Sequence, residues 1–340
     1  VEVTSAGTGM YLTKGSHLSG GKLELENKTA GTSAAGIYYE GTGNEVNHDT
    51  DLTINSGSSL LALYVDGGIK LNNTKTIEIS DGVNNVGAFV TGNSIFKNKG
   101  KINLTGSIKN AIGIYVENGQ GTNETGKDIE ISDLNTSGTG TPSIGMIAKA
   151  AAGKTAKVKN AGTIKAYGEA IGMNVEDNSE GENTGTITAK NLLSAGVEYK
   201  SIGAYINGAN AKFTNTGTIS TENIGLALKD TTANKILNSG TLKLTKTGAV
   251  GVFANNSFVD FNITPTVTSG VNQTVALYAT GTTKIKSQIT SASGVAHIGV
   301  YAAGNAKFLS GSKVTVGNGS GNDYGIGVYT KSGYNKTVNT

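Results

Sequence analysis

Apolar and polar residues alternate in short bursts along this chain, and thirteen bursts share one phrase: aliphatic, Gly, aliphatic, aromatic. Its clearest copy is Ile112-Gly113-Ile114-Tyr115-Val116. The Gly, or an Ala in its place, falls at Gly9, Gly36, Ala62, Gly87, Gly113, Gly145, Gly172, Gly203, Gly225, Gly251, Ala276, Gly299 and Gly327. Copies recur at a mean of about 26 residues, a period that marks a solenoid whose repeats bury their apolar faces against one another. Alternation predicts strands, and a period of two puts both neighbours of each Gly on the core face. Ile112 and Ile114, or Ile171 and Met173, are such pairs. The Gly and the aromatic then share the outer face, where Asn174 in an aromatic slot is tolerated.

A second strand follows each phrase and ends in Asn-x-Gly-x-Ile/Leu, as at Asn98 to Ile102, Asn160 to Ile164, Asn183 to Ile187, Asn215 to Ile219 and Asn238 to Leu242. Asn73 to Ile77 carries Lys75 in place of the Gly. Such a Gly suits a corner needing positive φ, and the Asn can bond its own turn or stack on the Asn of the next repeat. An apolar residue (Leu71, Phe96, Val158, Phe213 or Ile236) stands two positions earlier. A third short strand leaves the corner, as in Thr163-Ile164-Lys165-Ala166. Three short strands in about 26 residues describe one coil of a parallel β-helix, all-β, with 12 to 13 coils stacked into a rod on the order of 60 Å long. Crossover chirality predicts right-handed winding.

Composition narrows this picture. Gly supplies 50 of the 340 residues, Pro only 2, and the periodic aliphatics argue against disorder. Lys provides all 28 basic residues against 25 acids, a net charge of +3 without the clustered footprint of a nucleic-acid binder. Cys is absent, which excludes disulfides and thiolate chemistry. No apolar run reaches the length of a membrane-spanning helix, and the start does not resemble a signal peptide. Neither end shows the polar cap of an isolated solenoid, so residues 1–340 are expected to be a single segment of a longer array.

Catalytic motifs are weak. Pectin-cleaving β-helices use an Arg base beside carboxylate-held calcium, and this chain has no Arg. Asp49, Asp51 and Asp81 are sparse corner residues, and His17, His48 and His297 are far apart and expected at the surface. Asp177 to Gly181 lacks the ligand series of a calcium loop, and Gly153-Lys154-Thr155 lacks the frame of a phosphate loop. No enzyme, metal or cofactor is expected.

Departures from the period mark loops, where a rigid scaffold carries its binding residues. Excursions are expected near 117–143 and 173–201, with Tyr115, Asn118, Gln120, Asn135, Glu176, Asp177, Glu180, Tyr199 and Tyr205 as candidate contacts of a mid-rod ledge. Surface turns also tolerate insertions without purpose. A column of Tyr11, Tyr38, Tyr64, Phe89, Tyr115, Tyr205, Phe253, Tyr278, Tyr301 and Tyr329 is expected to stack as an aromatic ladder, or to offer a ridged face to a ligand. It lapses at Ile147, Asn174 and Ala227.

Coils that pair Ser201-Ile202-Gly203-Ala204-Tyr205 with Asn215-Thr216-Gly217-Thr218-Ile219 resemble the passenger arrays of large fusobacterial type V autotransporter adhesins, over essentially the whole chain. The resemblance implies a cell-surface passenger held by a C-terminal outer-membrane barrel outside this sequence. It also implies coaggregation and host-cell attachment through surface proteins or glycans. The absence of Cys fits translocation of an unfolded chain. A passive stalk presenting a distal tip, or a glycan-acting β-helix enzyme, are the alternative functions.

Overall fold

A computed structural model describes residues 2–3, 7–13, 16–27, 32–43, 45–134, 141–317 and 325–331. All thirteen phrases are strands of one sheet, running from Thr8–Thr13 to Ile326–Thr330, each bonded in parallel to the equivalent strand of the next coil. The Asn-corner strands and the strands after them form a second and a third wall. Glu45–Gly57 passes through both without a break. No described residue is helical. The three walls enclose one column of Ile, Leu, Val and Ala, with Tyr39, Phe96 and Phe213 the largest side chains in it.

The phrase does not alternate as its pattern predicts. In Leu60–Asp66, Leu60, Ala62, Leu63 and Val65 are fully buried, whereas Leu61 and Tyr64 face outward. Two consecutive residues therefore point inward: the Gly, or here its Ala, and the residue after it. Strand pairing skips the Gly, matching Ile112 with Ile144 and Ile114 with Met146. A Cβ on Gly113 would lie 2.5 Å from the Gly145 carbonyl and 3.3 Å from Ile129 Cγ2, so the residue is small because walls and coils converge there. The residue before each Gly lies on the outer face, contrary to the expected core assignment. In the middle coils, buried Ile144, Ile147 and Ile171 join Ile112, Tyr115, Ile202 and Tyr205 in a separate outer cluster.

The aromatic column stacks in two runs. Tyr11, Tyr38, Tyr64, Phe89 and Tyr115 are spaced at 4.9, 4.7, 5.2 and 5.1 Å between ring centroids. Phe253, Tyr278, Tyr301 and Tyr329 follow at 5.4, 4.6 and 5.0 Å. Tyr205 stands alone between Asn174 and Ala227.

The Asn corner forms a second ladder, inside the rod. Each Nδ2 donates to the Oδ1 of the next coil, from Asn73 through Asn98, Asn123, Asn160, Asn183 and Asn215 to Asn238, at 2.7 to 3.0 Å. The glycines after it are not at positive φ, contrary to expectation. A Cβ on Gly100, Gly162, Gly185, Gly217 or Gly240 would sit 2.0 to 2.2 Å from a carbonyl of the preceding coil, so close backbone approach excludes a side chain.

His48 occupies the corner in register with Asn73. Neither it nor His297 is at the surface; both are buried, unlike His17. The His48 Nδ1 lies 2.9 Å from the Tyr39 hydroxyl. Burial pushes the ring pKa down to about 4, against the smaller opposing pulls of Thr50, Asp49 and Asp51. Below pH 6.5 the unfolded chain therefore takes up a proton that the folded chain refuses. Stability should fall by about 3 kcal/mol as pH drops from 6.5 to 4, and no further below that from this group. Thermal melts of the wild type and His48→Asn check this, because the variant should lose that segment of the pH slope.

Candidate functional site

Among the described residues, the candidates are spread over wall strands, turns and a hairpin. Gly119–Asn123 and Asp128–Asp133 are regular wall strands, so Gln120 is an exposed wall residue and Asn118 a buried turn residue whose carbonyl accepts from Asn93. Asn135 lies outside the described residues. Ser179–Asn183 is likewise a wall strand. Glu180 there accepts Lys157 at 2.7 Å and Lys212 at 3.2 Å, and these bonds hold its carboxyl below the usual range.

Glu176 and Asp177 lie in the turn before that strand. Glu176 accepts the Asn174 amide at 3.0 Å and the Asn207 amide at 2.8 Å. Asp177 accepts the Asn210 backbone N–H at 2.7 Å and the Asn178 amide at 3.1 Å. Both carboxylates are thus occupied in fixing turns. Beside them a shallow groove of about 530 Å³ runs between the 150–155 loop and Asn178, Asn210 and Lys212. That loop is a true departure from the coil which the sequence conceals. Tyr115 and Tyr205 flank the outer apolar cluster, where burial is the first cause raising both phenol pKa values.

Both long excursions leave the same corner, between the third wall and the first. Beside the earlier one, Ser143 reaches Asp133 Oδ2 with its N–H (3.2 Å) and its hydroxyl (2.5 Å). In the next coil the corner is short. A Cβ on its Gly168 would lie 1.9 Å from the Asp133 carbonyl and 3.2 Å from Leu192 Cδ1. The coil after that carries the later excursion, a hairpin of Leu192–Ser194 with Val197–Tyr199. It is the single antiparallel pairing among the described strands.

Ala195 and Gly196 both take positive φ, 48° and 77°, as a two-residue hairpin turn of right-handed twist requires. The hairpin's root is tied down. Asn191 donates its backbone N–H to Glu222 at 3.1 Å and its amide to Glu198 at 3.2 Å, and Lys246 pairs with Glu198. Its tip is bare, with Leu193 75% and Val197 53% exposed. Tyr199, opposite Leu192, is half-buried in the hairpin's root. Sequence spacing located this insertion; which side chains it displays depends on hairpin register, which no repeat encodes.

The corner aspartates are engaged in turn bonds. Asp49 accepts the Thr74 hydroxyl, and Asp51 accepts the Thr76 backbone N–H at 2.8 Å. Among the described residues no three Asp, Glu, His or Cys side chains gather around a point that could hold a cation, so a carboxylate-held calcium does not fit them.

A family model described as the BigA third pectate lyase-like domain matches residues 15–262, a span that begins within the first coil and includes both excursions. No curated protein and no solved structure matches the chain. The match spans nearly three quarters of the sequence, and the parallel solenoid it implies is the architecture found. The chain belongs to the family of the BigA third pectate lyase-like domain.

Proposed function

We propose that this chain is a segment of a bacterial cell-surface adhesin that binds by contact and catalyses no reaction. In this reading it is part of a type V passenger of the fusobacterial kind, displayed outside the outer membrane. It promotes coaggregation and host-cell attachment through surface proteins or glycans. The observation that carries the proposal is the anchored hairpin with Leu193 and Val197 displayed at its tip. Apolar side chains held bare on a rigid support cost solubility and gain their value in a complex, where they become the buried centre of an interface. The family match supports a surface β-helix. The missing Arg and the engaged carboxylates of Asp49 and Asp51 support contact over turnover.

The test is saturable binding of the soluble chain to partner bacteria and host cells. Leu193→Ser with Val197→Ser should weaken that binding at least about tenfold, the loss of two interface-centre side chains, and leave the melting temperature unchanged. Binding that is absent, or indifferent to the hairpin, would instead favour a stalk that only presents a distal tip.

A further inference from the structure

The Asn ladder also fixes a row of lysines that the adhesive corner leaves unused. On the solvent side of the corner between the second and third walls, a groove of about 520 Å³ crosses successive coils. Its lining carries Lys75, Lys99, Lys101 and Lys127, against Asp51 and Asp128. The acids are already engaged, Asp51 by the Thr76 N–H and Asp128 by Lys165 at 3.4 Å. Glu130 pairs with Lys101 at 3.7 Å and with Lys165 at 3.6 Å. No described carboxylate forms an ion pair with Lys75, Lys99 or Lys127.

Backbone bonds hold these lysines in place. The Lys75 carbonyl accepts the Asn73 amide at 2.8 Å and the Lys101 N–H at 3.3 Å. The Lys127 carbonyl accepts the Asn123 amide at 3.0 Å and the Thr163 N–H at 2.8 Å. The Lys99 N–H donates to the Asn73 carbonyl at 2.7 Å. Their backbones are therefore fixed on three successive coils, Lys75 on the first, Lys99 and Lys101 on the second and Lys127 on the third, with neighbouring coils about 4.8 Å apart.

The geometry points to a binding groove for a linear anionic polysaccharide, laid along the rod axis with a charged group of successive sugars over each coil. Lysines on three successive coils suit a polymer that carries acidic groups at regular intervals. The groove's lining contains no aromatic ring on which nucleic-acid bases could stack. Gly100 and Gly126 keep its floor low. This groove is on another corner from the hairpin, so the two sites fail or stand separately.

Immobilised heparin is the probe, with desulfated heparin, neutral dextran and duplex DNA as comparisons. The wild type should bind heparin in a salt-dependent manner, and the Lys75→Gln/Lys99→Gln/Lys127→Gln triple variant should bind at least about tenfold more weakly, with a log–log salt slope shallower by about three charges. Lys243→Gln/Lys284→Gln/Lys307→Gln, three exposed lysines of later coils, should bind as the wild type does. Retained binding to desulfated heparin assigns the contact to carboxylates, and lost binding assigns it to sulfates. Equal binding by the two triple variants, comparable binding of dextran, or full competition by duplex DNA overturns the proposal. Unchanged melting temperatures confirm that the variants fold.

Discussion

Gly185→Ala is expected to cost at least about 3 kcal/mol and to split the single unfolding transition of the rod. Its new Cβ would stand 2.0 Å from the Gly162 carbonyl and 2.8 Å from that of Ala161. Both obstacles are backbone, and both belong to a coil held on either side by its neighbours, so neither can swing away as a side chain could. Relief requires the coils to part at the corner. That would lengthen the Thr186 N–H to Gly162 carbonyl bond, now 2.9 Å, and the Asn160–Asn183 amide contact, now 2.8 Å. Gly270→Ala is the matched control. It also adds a methyl group, at φ +80°, but meets nothing within 4 Å, and should cost only about 1 kcal/mol for its backbone conformation. Urea denaturation followed by circular dichroism checks both, and near-equal midpoints for the two variants would refute the close-approach account.

Asn160→Ala should destabilise by about 3 kcal/mol. Asn160 Oδ1 accepts the Asn123 amide at 2.9 Å, and its Nδ2 donates to Asn183 Oδ1 at 2.8 Å and to the Thr186 carbonyl at 3.3 Å. Truncation removes all three bonds in a place that water does not reach. Asn123 keeps its bond to the Lys127 carbonyl at 3.0 Å, so its amide is only partly deprived, whereas the Asn183 oxygen loses its ladder donor. Asn238→Ala, at the partly exposed end of the row, should cost about 1 kcal/mol because solvent can serve the broken bond. Equal losses at the two positions in the same denaturation series would count against a cooperative ladder.

Much of the fold was legible because its coil is written thirteen times, and what stayed hidden is what repetition conceals. The Gly to Gly interval from 145 to 172 is 27 residues, close to the mean, yet it contains the enlarged 149–155 turn. The length added there is removed at the next corner, where Gly168 and Glu169 pass directly into Ala170–Val175. Two opposite departures cancel, so spacing alone registers neither. Asn123 escaped because Ile129 follows it by six positions instead of four; its sequence cue was the preceding Gln120-Gly121-Thr122, which keeps the strand's length.

The face of the phrase was misassigned for a different reason. Alternation holds on each side of the Gly but slips by one residue across it, and a pattern of uniformly apolar neighbours carries no mark of that slip. The lysine groove went unseen because its residues belong to different coils and are scattered among polar corner positions in the sequence. The hairpin, by contrast, was visible as an interruption, although its bare tip was not.

Every amide in the inner Asn row points the same way, from an earlier coil to a later one. The rod therefore has a grammar of assembly as well as a shape. A whole coil copied in tandem presents one acceptor behind and one donor ahead, and joins the row without any other amide turning over. The same holds when a coil is lost. Change by duplication and deletion of entire turns is thus nearly neutral for the scaffold, whereas the excursions at one corner and the lysines at another are free to diverge. Length can drift through such a lineage while the inner row stays legible, and novelty accumulates at the corners.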